Sequence, residues 1–182
     1  MHDVLEKEKI IRQLDAASKE VIDYCTAIND ELFFYQPADK WSVAQNISHL
    51  AIAANSTLPA FSLPKFIVRI YAGKPNRASR TYSELVTKYQ LKLAQGGRAG
   101  RKFIPAIVSP QIGKEKVLMC FLNAMNKLST AIQKKWNENQ LDKYIAPHPL
   151  LGKVTLRELC YFTIYHTQHH LNSIKERMNE KN

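Results

Sequence analysis

"YHTQHHLNSIKERM", residues 165–178, holds three of the chain's six histidines within five positions. The stretch reads as the end of an amphipathic helix. His166 and His170 are four residues apart, so they stand one above the other on one helix face. Leu159, Thr163 and Ile174 project within roughly a quarter-turn of the same direction. The pair therefore points toward an interior or its rim, not toward bulk solvent. His169 is rotated about 100° from His170, toward the edge of that stripe.

Working outward, the helix starts at Thr155. "TLRE" is a capping box with Glu158 at its third position, and the helix runs to about Met178. A turn-rich link, "IAPHPLLGKV", precedes it. Before the link, Leu118, Phe121, Met125, Leu128, Ile132 and Trp136 keep a helical period, which predicts a long helix over 113–138. Near the other end, Ser42 and Gln45 form a second capping box. It opens a helix through "VAQNISHLAIAANSTL" that is expected to stop before Pro59, because proline removes a backbone donor and clashes with the preceding turn. The first helix covers 4–30, with Ile10, Leu14, Ala17, Val21 and Ile28 on one stripe. Sustained strand alternation is not found. Four long amphipathic helices predict an all-α fold, an antiparallel four-helix bundle.

Between the second and third long helices lies a segment of another kind. Residues 61–110 contain ten Lys and Arg against one acid, Glu84, and so carry +9 of the chain's net charge of +10. Four of the eight prolines and four of the six glycines lie there. "TYSELVTKYQLKLAQ" predicts a shorter helix, and "QGGRAGRKF" reads as a mobile loop. The segment is expected to be a long basic connection or insertion within one domain spanning 1–182. Its charges, interleaved with Tyr71, Tyr82, Tyr89 and Phe103, offer a surface for nucleic acid or another polyanion. However, no helix-turn-helix or zinc-finger pattern supports nucleic acid. Arg98, Arg101 and Lys102 are the candidates for binding a smaller anion.

The length of 182 residues suits one domain with a substantial core. No apolar run is long enough to span a membrane, and the charged N-terminus lacks the features of a secretory signal, so a cytoplasmic location is expected. Cys25, Cys120 and Cys160 are far apart and odd in number, each within a helical apolar pattern, and are expected to be buried thiols.

An HxxxH pair can hold one transition-metal ion through two imidazole nitrogens, but a stable site needs a third ligand from another element. His49 is the candidate. It lies on the second long helix with Ser42, Gln45, Ala53 and Ser56 near the same face, small groups that leave room for an ion and a substrate. Of the other histidines, His2 is near the N-terminus and His148 sits in the "PHP" link. Gln45, Asn46, Asn55, Ser56, Thr163, His169 and Gln168 are near enough by helical position to orient an imidazole. No carboxylate accompanies His49 on its helix, and Glu158 is two turns before His166. A carboxylate base beside the ion, and with it a peptidase, is not indicated.

Three pieces in order, "KWSVAQNISHL", "HPLLGKVTLREL" and "YHTQHHLNSI", resemble the DinB-like (DinB/YfiT-like) superfamily. The resemblance spans the second long helix to the C-terminus, and the first helix fits the same plan. It implies a four-helix bundle with a three-histidine metal site, here His49, His166 and His170. It also implies a homodimer and a metal-dependent hydrolase or thiol transferase acting on a small molecule. Zinc is the expected ion, with nickel, manganese and iron suited to the same ligands. The basic middle segment matches none of these motifs.

Overall fold

The capping boxes at Ser42 and Thr155 form as the sequence predicts. Ser42 Oγ accepts from the Gln45 amide at 3.0 Å, and Gln45 Oε1 accepts from the Ser42 amide at 3.0 Å. Thr155 Oγ1 accepts from the Glu158 amide at 3.2 Å, and Glu158 returns the bond to the Thr155 amide at 3.0 Å. Each pair satisfies donors that a helix start leaves open. In the computed structural model, which describes residues 4–179 apart from 39 and 99, these caps open the two helices that carry the histidines. His2 lies outside the described residues.

The chain is mostly helical. In order it forms α1 (Lys7–Thr26), the short α2 (Asp30–Phe34), α3 (Val43–Ser62), α4 (Lys65–Ala72), α5 (Tyr82–Ala94), α6 (Lys114–Lys135) and α7 (Leu156–Asn179). The strands β1 (Ile145–His148) and β2 (Gly152–Thr155) fall between α6 and α7. α3 packs on α6 and α7, and α1 packs on the same two helices. Leu14, Val21, Ile47, Phe121, Leu128, Ile132, Ile164 and Leu171 are buried in the core between them. No helix among the described residues is long and apolar enough to cross a membrane.

Several boundaries differ from the sequence expectation for identifiable reasons. α3 does not stop before Pro59; it continues to Ser62. Proline's missing donor affects the carbonyl of Asn55, and both residues face solvent, so water can satisfy that group. The first helix ends at Thr26, and Asn29 caps the separate α2 by accepting from the Leu32 amide at 2.9 Å. The turn-rich link is an antiparallel hairpin pairing Ile145 with Thr155 through His148 with Gly152. Gly152 adopts φ 74°, which closes the short loop. Cys25 and Cys160 are buried thiols, but Cys120 is exposed, because it lies off the stripe of Val117, Phe121 and Ala124 on α6.

The basic segment is more structured than a mobile connection. α4 rests on β1, and α5 packs along α7. Glu158, wholly buried, receives Arg77 through two bonds of 2.6 and 2.8 Å, and the Arg80 amide at 2.7 Å. Burial alone would raise this carboxyl, but the Arg77 hydrogen bonds hold it below the ordinary carboxylate range. Lys65 bonds Gln140 at 2.8 Å, Arg69 lies over the Tyr144 ring at 4.5 Å, and Lys88 bonds the Leu151 carbonyl at 3.2 Å. Five of the ten basic side chains thus fasten the insertion to the hairpin and to its flanking residues. In the "QGGRAGRKF" stretch, Gly97 donates back to the Lys92 carbonyl at 2.9 Å, and Arg101–Phe103 forms a 3-10 turn against α3.

Candidate metal centre

His49 on α3 faces His166 and His170 on α7. The ligand-type nitrogens of the three lie within 4.8 Å of one another. The Nε2 of His166 is 3.1 Å from the Nε2 of His49 and 3.1 Å from that of His170. His49 and His166 are almost fully buried. Trp41 lies over His49 at 4.9 Å between ring centres, and Phe162 stacks on His166 at 4.8 Å.

The outer ring nitrogens determine the tautomers. His49 Nδ1 is 2.7 Å from the Phe103 carbonyl oxygen, which can only accept. His170 Nδ1 is 2.7 Å from Asn46 Oδ1, while Asn46 Nδ2 donates to the Ser42 carbonyl at 2.9 Å. Both imidazoles therefore carry their proton on Nδ1 and present a lone pair at Nε2. Burial first, and then mutual repulsion among the rings for His166 and His170, hold both below the ordinary imidazole value. His49 is also lowered by burial, against the Phe103 hydrogen bond. Neutral His166 can give a proton to one neighbour at most, so at least one pair of buried lone pairs meets head-on. A cation at the centre removes that conflict. Neutral imidazoles with anchored Nδ1–H groups are the donor set that a transition metal requires.

The other residues singled out from the sequence have separate partners, and most of them do not touch the histidines. Asn46 is the one that holds a histidine. Gln45 serves the α3 cap and reaches the Pro105 carbonyl at 3.5 Å. Thr163 bonds back to Leu159 in its own helix at 2.9 Å. Gln168 accepts from Tyr82 at 3.3 Å, and Asn55 faces solvent. Ser56 and His169 line the adjoining cavity, where His169 stacks on Tyr165 at 6.1 Å. The Phe103 carbonyl was not legible beforehand, because a backbone acceptor leaves no trace in residue type. Trp41 was visible only as part of "KWS".

The cavity meeting the histidines has a volume of about 940 Å³. Its walls come from α3, α4, α5, the hairpin, α7 and the stretch 97–104. Of the three anion candidates, Arg98 and Lys102 line it, and Arg101 is exposed on the neighbouring 3-10 turn. Tyr89 of α5 forms part of the wall, with its hydroxyl pushed up to about 12 by burial. His148 also lines it and accepts from the Leu150 and Leu151 amides at 3.2 and 3.1 Å. The described lining contains no Asp or Glu.

No curated protein matches the chain. The family model of the DinB superfamily matches residues 13–174, a span that includes all three histidines and the whole basic insertion. With the match covering most of its length, the chain belongs to the DinB superfamily.

Proposed function

We propose that the protein is a metal-dependent enzyme, a hydrolase or thiol transferase acting on a small molecule. In this reading His49, His166 and His170 hold one divalent ion, zinc by default. The observation that carries it is the meeting of three Nε2 atoms, two of them lone pairs fixed by Phe103 and Asn46. When bound, such an ion supplies a Lewis acid that polarises a carbonyl or makes a water or thiol more acidic. The chain's own groups do the remaining work. Phe103 and Asn46 fix the tautomers and aim the imidazoles, burial keeps the rings neutral, Trp41 and Phe162 shield them from water, and the cavity holds the substrate beside them. The absence of Asp and Glu from the described lining favours a reaction that needs no carboxylate base there. The packing of α1 and α3 on α6 and α7 supports reading the long helices as an antiparallel four-helix bundle, with the ligands on two facing members.

Elemental analysis of purified, tag-free protein tests the proposal. The expected result is close to one divalent ion per chain, lost in His166→Ala while the circular dichroism spectrum stays helical. Full metal retention in that variant would reject the ligand set.

A further inference from the structure

The cavity beside the histidines has two chemical characters. Its floor is apolar and buried, from Val68, Ala146, Leu159 and Phe162. Its mouth keeps large apolar groups in water: Leu63, Ile67, Tyr71 and Ile104 all line it and are exposed, Tyr71 at 80%. Apolar side chains clustered at a cavity mouth are the mark of a binding site for an apolar body. The charged groups in the lining, histidines aside, are Arg98 and Lys102, with no described acid to offset them. Both stand on the stretch whose Phe103 carbonyl accepts the His49 Nδ1–H hydrogen bond, so positive charge borders the histidine end. Other basic residues of the insertion are engaged elsewhere: Arg77 and Arg80 with Glu158, Lys65 with Gln140, and Lys88 with Leu151. Arg98 and Lys102 instead line the cavity, with the Lys102 ammonium 4.9 Å over the ring of Phe103, itself part of the lining.

We infer that the cavity binds an anionic amphiphile, a molecule with a carboxylate or similar oxyanion head and an extended apolar body. The head lies by Lys102 and Arg98 near the histidines, and the body runs toward Ile67 of α4 and Leu63, which links α3 to α4. A cationic ligand of the same shape meets the positive charge of Arg98 and Lys102 there, with no acid among the described lining residues, and is rejected. The volume of about 940 Å³ lies near the top of the range for small-molecule sites, ample for a chain of ten or more carbons. The inference adds a substrate class to the metal-enzyme reading and rests on it only in placing the head near the ion.

The test uses the emission of Trp41, which lines the cavity. The purified protein is titrated with decanoate, decan-1-ol, decyltrimethylammonium and acetate, and its metal content is measured in the same samples. Decanoate is expected to bind at least about ten-fold more tightly than the other three. The double variant Arg98→Glu, Lys102→Glu should lose that preference over the alcohol while keeping its metal, and Ile67→Asp should weaken decanoate about ten-fold. Equal binding of the three chain compounds, tighter binding of the cation, or no decanoate binding at millimolar concentration would overturn the inference. Metal content separates the two readings. Metal-loaded protein that ignores decanoate refutes the amphiphile alone. Metal-free protein that selects decanoate refutes the metal enzyme alone.

Discussion

At the scale of the residue, single atoms decide what the histidines can do. Asn46 is held from one side by the Ser42 carbonyl, and this leaves its Oδ1 facing His170 Nδ1. Asn46→Ala removes that acceptor and frees the ring to turn or change tautomer. We expect metal affinity to fall about 10- to 100-fold, with helicity retained. A competition titration against a chromophoric chelator measures it, and unchanged affinity would show that His170 needs no such partner. His148 makes a second case, because its Nδ1 accepts two backbone amides and burial pushes the ring down to about 4. The unfolded chain binds this proton near pH 6.5, whereas the folded chain resists it to about 4. Its contribution to stability is therefore complete above 6.5 and is lost as pH falls from there toward 4. The other buried histidines act in the same direction, so the variant must be compared with the parent. His148→Asn keeps an acceptor in place without a titrating proton. Between pH 7.5 and 5 the parent should lose about 2 kcal/mol more stability than this variant in urea unfolding. Parallel losses would mean that His148 is protonated in the fold.

At the scale of the element, the end of the insertion that carries Gly97 and Phe103 meets the histidine cluster through the Phe103 carbonyl. A Cβ on Gly97 would lie 2.6 Å from the Lys92 carbonyl oxygen and 3.3 Å from a Leu150 methyl. Neither the backbone carbonyl nor the packed hairpin yields easily, so Gly97→Ala must displace the stretch that carries Phe103. We expect a stability loss of about 1–3 kcal/mol and a fall in metal affinity of about ten-fold, as His49 loses its acceptor. Thermal melts and the chelator competition read the two effects. A destabilised variant with full affinity would uncouple the insertion from the centre. This element also marks the boundary of what was readable in advance. α3 and α7 were legible because capping boxes and apolar stripes are local signals, and the HxxxH spacing follows from helix geometry alone. The hairpin was hidden, since four-residue strands, the first with Pro147 inside it, show too little alternation. α4 was hidden by its length, and the docking of 97–103 by its dependence on backbone contacts. The charge of the insertion was plain, but not that Arg77 and Arg80 converge on Glu158, because that acid lies in a capping box about eighty residues away.

At the scale of the whole molecule, the three-histidine cluster joins helices that the sequence keeps far apart. His49 and His166 are separated by 117 positions, and their approach requires α3 and α7 to be packed and correctly turned. The unfolded chain has no such site, so an ion that binds only the folded form adds its binding free energy to stability. With free ion at about 1,000 times its dissociation constant, that amounts to about 4 kcal/mol. In a chain of this size each kcal/mol shifts the melting temperature by about 2–4 °C, which predicts an increase of about 8–16 °C. Zinc added to chelated protein should therefore raise the melting temperature by about that amount, progressively with concentration. His166→Ala should melt at a temperature that zinc does not change, because its remaining pair cannot close the site. A comparable rise in the variant would place the stabilising ion elsewhere on the molecule. No rise in the parent would mean that the three rings are accommodated by packing and a shared proton, without a metal.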